Sequence, residues 1–539
     1  MNIPLPRFQA RSGLAILIVL TILIGVSSVA SQKLGGLNSQ EKRGKQIYLK
    51  GESPAGEITA TLGAVDLEVP ASSFSCANCH GLRGEGTREG GIQPPPLRWD
   101  TLTRPYTSAL TRRERPAYNE TTLARAISDA LDSTGRRLHP AMPNYKMHRE
   151  QMADLIAYLK QLGGESDTEP GITDDSIQIG AVLPLTGPLA QIGEDTKAII
   201  TASFAEVNSQ GGIYGRRIEL VTEDSRGEPL QTLEATRRLI EKSGVFAMLS
   251  NFETGDSAET GSWIKSREVP LIGPLTLSPR LASPPNPYIF YLLPTFADQA
   301  RSLVDFAKSN KQNDPAKPPR LAVVYDGTAF SQDALSGLQS QAKMYSMELV
   351  AELPFQSALK PEEVVGQLSN KSPDYVFFFG NAEDLKLLAA QLDRVKLNVS
   401  LLSSVVMAGR GAFALPPNVA AKTFLSYPAA LPNQEDFAEF LALTKRAGIS
   451  LRSPAFQSLA YASTKVFFEA AKLSGKQLDR AALINSLEQL QNFKTGVVPP
   501  LTFGKNRRVG SISSYIVGVD LIKQQYIPLT NPMTPRDKP

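Results

Sequence analysis

Phe74-Ser75-Cys76-Ala77-Asn78-Cys79-His80-Gly81 holds both cysteines of a 539-residue chain and one of its three histidines, in the order C-x-x-C-H. One helical turn between Cys76 and Cys79 presents both sulfurs on the same side, where each can add to a haem vinyl group. His80 follows at once, so its imidazole lands where an iron would sit. The pattern is an attachment signal for c-type haem. A redox dithiol would not require the histidine, and half of a zinc site would need further ligands that a chain this poor in Cys and His hardly supplies.

Working outward, the length calls for two or three domains, because single cores rarely grow beyond about 250–300 residues. Hydrophobic residues make up 42% and charged residues 20%, an ordinary globular balance. The net charge of +4, partly owed to Arg7 and Arg11, is too small to argue for nucleic acid. No 20–50-residue repeat is visible, which argues against a solenoid. Residues 1–30 read as an export signal. Arg7 and Arg11 precede the apolar run Leu14–Val26 and the small residues Ser27-Ser28-Val29-Ala30. The apolar length suits a cleaved signal peptide, and an uncleaved membrane anchor is the other reading. Either one places the rest of the chain in the periplasm.

Residues 38–163 read as a small all-α domain. The first helix, near Gln40–Leu49, carries Gly44 and Tyr48. The last, near Arg149–Leu162, lines up Met152, Leu155, Ile156 and Leu159 on one stripe. Gly44 lets these helices approach closely, with Tyr48 and Tyr158 at the crossing. A middle helix, Thr121–Leu131, is capped by Asn119. A second axial ligand is expected between the middle and last helices, where Met142, Met147, His139 and His148 are the candidates. Met142 is preferred, held in an extended strap by Pro140 and Pro143, because a thioether ligand suits electron transfer. Gly84–Gly91 reads as a mobile turn, not a phosphate loop, since no strand precedes it. It leads to Pro94, Pro95, Pro96 and Trp99, which could wall a haem edge. Arg98, Arg104, Arg112, Arg113 and Arg115 form a basic run, either a solvated loop or a docking patch for an acidic redox partner.

These residues resemble a class I c-type cytochrome domain. The resemblance rests on Cys76-Ala77-Asn78-Cys79-His80-Gly81, on Gly135-Arg136-Arg137-Leu138-His139-Pro140-Ala141-Met142-Pro143-Asn144-Tyr145, and on Ala153-Asp154-Leu155-Ile156-Ala157-Tyr158-Leu159. It implies one covalently attached haem c, held by Cys76 and Cys79 with His80 and Met142 on the iron. The stretch Lys50–Ser75 is longer than the minimal fold requires and is expected to form an extra hairpin or flap.

A polar, Gly/Pro-marked connector is expected at 164–175 and a tail at 529–539. Between them, 176–528, short β runs alternate with amphipathic helices from Ile177–Leu183 through Tyr375–Phe379. Such alternation means parallel sheets covered on both faces, and the length calls for two lobes. Ligands of such sheets bind beyond the strands' carboxyl ends. Those ends carry Pro184–Pro188, Asn251–Asp256, Pro274–Ser278, Asp326–Ser331 and Gly380–Asp384, with no His, no Cys and no recognisable nucleophile–base set. A binding cleft therefore fits better than a catalytic one.

The unit is similar to periplasmic solute-binding proteins of the leucine/isoleucine/valine type, which serve ABC importers. Ile179-Gly180-Ala181-Val182-Leu183-Pro184-Leu185-Thr186-Gly187-Pro188, Asn208–Leu220, Asp224 and Leu501–Gly510 carry the similarity. It implies a type I two-lobed α/β fold with three crossovers, closing on a small solute. Carried over, the ligand positions are Thr254, Gly255, Thr276 and Ser278 on one lobe and Asp298, Phe330 and Asn381 on the other. Where the family has an acidic partner for an ammonium, near Met407, no carboxylate stands, which puts an ordinary α-amino acid in doubt. The expected whole is a periplasmic electron carrier fused to a solute-binding module, with a dehydrogenase or another cytochrome as redox partner. The alternative is an ABC-importer component with an accessory haem and a permease partner. Oxidation of the bound solute through the haem is a third reading, weakened by the missing acid–base set.

Overall fold

The computed structural model describes residues 36–537 apart from 63–66, 87–91, 109–111, 254–257, 277–278, 280, 282, 311–316 and 432–436. Two compact units divide the chain between Thr168 and Glu169. The export-signal reading of residues 1–30 lies outside the described residues; among those described, no helix is long and apolar enough to cross a membrane.

The first unit runs α1 (Ser39–Lys50), β1 (Thr59–Leu62), β2 (Leu67–Pro70), α2 (Cys76–His80), α3 (Trp99–Leu102), β3 (Tyr106–Thr107), β4 (Glu114–Arg115), α4 (Glu120–Asp129), β5 (Asn144–Lys146) and α5 (Arg149–Leu159). Asn38 caps α1 by accepting from the Glu41 amide, and Gly51 ends it in the left-handed region that a residue with Cβ avoids. Asn119 caps α4, as expected, but Ala130 turns left-handed and stops the helix before Leu131. The crossing of α1 and α5 follows from Gly44: a Cβ there would lie 2.0 Å from the Asp154 carbonyl oxygen. With no side chain in the way, Tyr48 and Tyr158 meet with ring centroids 5.5 Å apart, both fully buried. Arg43 then reaches the buried Asp154 carboxylate with two nitrogens, at 2.7 and 2.9 Å.

The extra stretch 50–75 does form a hairpin, β1 against β2, and β1 also pairs with β5, giving the order β2-β1-β5. The helical first unit thus carries a small three-stranded sheet at this insertion. Two expectations are corrected. Arg115 is only 9% exposed; its guanidinium donates to the carbonyls of Leu102, Arg104, Pro116 and Thr101 and lies over the rings of Tyr106 and Tyr118. Arg113 pairs with buried Asp132 at 2.6 Å. Two of the five arginines in the basic run are thus structural, and Arg115 supplies the donors that carbonyls of the irregular 98–118 loop need once buried. The connector is also shorter than 164–175. Asp167 accepts from Tyr158 and Gly163 and pairs with Lys45 in the first unit, while Gly171 accepts from Gln178 in the second.

The second unit has two sheets. The first lobe contributes β6 (Ser176–Leu183), α6 (Ala190–Ser209), β7 (Arg217–Asp224), α7 (Pro229–Glu241), β8 (Ala247–Leu249), α8 (Ala258–Arg267), β9 (Leu271–Ile272) and β10 (Ile289–Phe290). The second begins with α9 (Phe296–Ser309), β11 (Leu321–Tyr325), α10 (Ala329–Met344), β12 (Leu349–Pro354), α11 (Pro361–Lys371), β13 (Tyr375–Phe379) and α12 (Ala382–Arg394). It continues through β14 (Ser400–Ser404), α13 (Val405–Ala408), α14 (Pro417–Ala420) and β15 (Thr423–Tyr427). Then α15 (Ala438–Arg446), α16 (Pro454–Leu473) and α17 (Arg480–Glu488) precede β16 (Tyr515–Asp520) and β17 (Gln525–Pro528).

Strand order is β10-β9-β8-β6-β7 in one sheet and β12-β11-β13-β14-β15-β16-β17 in the other. All pairs are parallel except β15–β16 and β16–β17, where the returning chain adds two antiparallel strands. Burial on both faces explains the unbroken apolar runs. In β11 and β13, Leu321, Val323, Tyr375, Phe377 and Phe379 enter one core, and Ala322, Val324, Val376 and Phe378 the core opposite. The chain passes between the sheets at 291–295, after β15, and again before β16. The tail beyond β17 is docked on the second lobe: Met533 pairs with Ser514, the Arg536 amide donates to Asp305, and Arg301 meets Asp537 at 2.7 Å.

Candidate functional site

Both ends of the short helix α2 are tied down by tyrosines from elsewhere in the fold. Tyr145, in β5, donates to the Phe74 carbonyl at 2.6 Å, and Tyr48, in α1, donates to the Gly81 carbonyl at 2.6 Å. Between these ties Cys76 is partly buried and Cys79 exposed. Burial pushes the Cys76 thiol up to about 12, the reverse of the lowered pKa a redox dithiol requires. Among the described residues no group of three or more His, Cys, Asp or Glu is placed to hold a metal ion.

His80 is 6% exposed, and its Nδ1 lies 3.0 Å from the Pro95 carbonyl oxygen. A carbonyl only accepts, so Nδ1 carries the proton and Nε2 keeps the lone pair that a metal would take. Burial holds the imidazole pKa below its ordinary value, which favours the same neutral form. The local chain is shaped for this contact. Gly86, at positive φ, lets the Pro94 backbone approach; its amide donates to the His80 carbonyl, and the Leu97 amide donates to the Gly84 carbonyl. The stretch expected as a mobile turn is thus hydrogen-bonded through Gly86, and residues 87–91 lie outside the described ones.

Met142 is partly buried and packs on the same core as Cys76. Its segment is not the extended strap expected from the prolines: the Met142 amide donates to the His139 carbonyl in a turn, and β5 begins two residues later. His139 is exposed, with Nδ1 accepting from the Ala141 amide. His148 is an exposed helix start whose amide donates to Gln151, and Met147 packs on the core. Of the four candidates, Met142 and Met147 are partly buried against the core and both histidines are exposed, and Met142 lies in the turn.

In the second unit, the loops singled out do follow the carboxyl ends of β6, β8, β9, β11 and β13. Asp224 accepts from the Leu185 and Thr186 amides and the Thr186 hydroxyl, fixing the Pro184–Pro188 loop. Thr254, Gly255 and Ser278 lie outside the described residues. Thr276 follows β9, its amide donating to the Pro274 carbonyl. Phe330 is 45% exposed and meets Phe296 edge-on at 5.5 Å. Asp298 and Asn381 occupy helix-start positions instead of presenting free polar groups. The Asp298 carboxylate accepts from the Thr295 hydroxyl, and the Asn381 side chain accepts from the Glu383 and Asp384 amides. The Thr295-x-x-Asp298 spacing is itself a capping-box signal that sequence reasoning passed over. Also unremarked was Glu253, a partly buried carboxyl beside Tyr291 that burial pushes up to about 7. Met407 packs on the core in α13.

Compared with protein families, residues 176–524 match the family described as Periplasmic binding protein. The chain belongs to that family. Residues 42–163 of this binding protein match the Cytochrome c family, so a cytochrome c domain precedes the solute-binding domain. Among curated relatives it is 22% identical over 352 residues to Leu/Ile/Val-binding protein homolog 3 of Brucella melitensis, covering 64% of this chain and 91% of that protein. It is 21% identical to the Leu/Ile/Val-binding protein BraC3 of Rhizobium johnstonii, covering 61% and 88%. A fatty acid ABC transporter substrate-binding protein from Thermomonospora curvata shares the fold, with TM-score 0.53, 20% identity, and 68% of this chain and 95% of that one covered. A branched-chain amino acid ABC transporter protein from Thermus thermophilus, solved with bound valine, has TM-score 0.53, 15% identity and coverages of 67% and 97%. The type I two-lobed fold expected from the sequence is the fold these proteins share.

Proposed function

We propose that this chain is a periplasmic electron carrier whose cytochrome c domain holds a single haem c, covalently linked through Cys76 and Cys79, with His80 and Met142 as iron ligands. The observation that carries this reading is the His80 contact: a buried imidazole directly after C-x-x-C donates its Nδ1–H to the Pro95 carbonyl and keeps Nε2 for the metal. When bound, the haem supplies one-electron redox chemistry. The protein's part is to orient His80 through Pro95, to anchor α2 at both ends through Tyr48 and Tyr145, and to exclude water with the core around Met142.

The second domain binds a small solute between its lobes, with Thr254, Gly255, Thr276 and Ser278 on one side and Asp298, Phe330 and Asn381 on the other. The relatives' names span branched-chain amino acids and a fatty acid, and their shared feature, a carboxylate on an apolar body, is the solute chemistry we assign. Solute binding, the role of the family matched over residues 176–524, is the role we assign to this domain. The domain serves to tune or localise electron exchange with a periplasmic dehydrogenase or another cytochrome. The complete two-lobed fold supports a second reading, an importer subunit that delivers its solute to an ABC permease.

Native mass spectrometry of the protein from a cytochrome-maturing host tests haem content, removal of residues 1–30 and retained solute together. Redox titration with and without that solute separates the two roles. Coupling shifts the potential by about 59 mV for each tenfold difference in affinity between redox states. Identical potentials favour the importer subunit.

A further inference from the structure

The hairpin β1–β2 has no part in the reading above, yet it touches the segment that reading depends on. β1 is the central strand of its sheet, with β2 on one edge and β5 on the other. In register, Thr59 faces Lys146, Ala60 faces Tyr145 and Thr61 faces Asn144. β5 begins two residues after Met142, so the ladder grips the chain directly behind the proposed ligand. Ala60 and Tyr145 are both buried, and the Tyr145 hydroxyl continues to the Phe74 carbonyl at the entrance of α2. Across the exposed face, the Glu68 carboxylate in β2 spans β1, accepting from Thr59 and pairing with Lys146 at 2.7 Å. Beyond β5, the buried side chain of Gln151 in α5 donates to the Gly56 carbonyl. The Met142 segment is therefore held by a backbone ladder and flanking side-chain bonds supplied by an inserted element.

We propose that this hairpin is a brace that positions Met142 for the iron, an inference that rests on Met142 being the second axial ligand. Opening the segment would require breaking the β1–β5 ladder as well as any bond to the metal. Without β1, β5 has no neighbouring strand, and the Met142 segment keeps only its turn, its core packing, the Tyr145 bond to Phe74 and the metal. The residues concerned are positioning residues, and their effect is on how firmly the sixth position is kept.

The hairpin can be excised at its base, where the Ala71 amide already donates to the Ile58 carbonyl at 2.9 Å. A two-residue Asn-Gly turn can then replace residues 59–70. In the full-length ferric protein, the long-wavelength methionine-to-iron charge-transfer band reports the ligand, and added imidazole competes for its place. The excised variant is expected to lose the band at an imidazole concentration at least about tenfold lower than wild type, the equivalent of 1.4 kcal/mol, and to show a lowered potential. Glu68→Lys, which sets two like charges across β1, is expected to shift the same titration by about two- to threefold. If the excised chain fails to hold haem, the Glu68→Lys titration decides. A wild-type protein with the band, alongside variants that titrate like it, overturns the brace. A wild-type protein without the band removes Met142 from the iron and the brace with it.

Discussion

Replacing Gly44 by alanine tests the packing on which the cytochrome c domain is built. A Cβ at this position would meet the Asp154 carbonyl oxygen at 2.0 Å, the carbonyl carbon at 2.7 Å and Tyr158 Cβ at 2.7 Å. Ordinary contact begins near 3.4 Å, so α1 and α5 must part by more than an ångström. The obstructing atoms are backbone or directly attached to it, and no side-chain rotation relieves them. Overpacking of this kind costs about 1–3 kcal/mol, and loosening the Tyr48–Tyr158 ring pair adds about 0.5–1.5 kcal/mol. Alanine's better helix propensity returns roughly 1 kcal/mol. The net expectation is a loss of about 0.5–3.5 kcal/mol, centred near 2 kcal/mol. Gly366, inside α11 with nothing within 4 Å of where a methyl group would project, is the control: Gly366→Ala should gain up to about 1 kcal/mol. The chain has only two tryptophans, Trp99 in the first unit and Trp263 in the second. Urea unfolding followed by Trp99 fluorescence in a Trp263→Phe background therefore reads the first unit alone. A Gly44→Ala midpoint equal to or above the parent's would refute the close-approach argument.

Arg115→Lys should cost about 2–4 kcal/mol by the same Trp99 readout, because a lysine cannot serve four carbonyls and two rings at once, whereas exposed Arg104→Lys should stay within about 0.5 kcal/mol. Equal effects at the two positions would mean that Arg115 is a surface residue after all. Glu253 predicts a pH effect in the second unit. Its folded pKa of about 7 stands above the ordinary 4.5, so between those values the folded chain binds the extra proton and stability falls as pH rises, levelling off beyond 7. Glu253→Gln removes that slope, and should stabilise the second unit by roughly 2–3 kcal/mol at about pH 8 and not at about pH 4, as read by Trp263 in a Trp99→Phe background. Parallel pH profiles for variant and parent would show that the carboxyl ionises freely.

Sequence alone determined what depends on spacing along one segment. The two sulfurs and the imidazole follow from one helical turn, Gly44 marks a close crossing because it lacks a side chain, and the apolar runs of β11 and β13 report burial on both faces of a sheet. Asn119 could be read as a cap for the same reason, and the Thr295–Asp298 and Asn381–Asp384 spacings carried the same local signal. Tertiary structure decided what depends on remote partners. Whether Arg115 meets water or four carbonyls turns on the path of the 98–118 loop. Whether Met142 hangs in a free strap or stands behind a strand turns on 59–62 finding 144–146 across more than eighty residues. Tyr48 and Tyr145 reach the two ends of α2 from opposite ends of the domain, and Glu253 acquires its raised pKa only by enclosure. Local periodicity encodes conformation and facing; pairing and desolvation arise when the folded path of the chain brings groups into contact, which periodicity does not record.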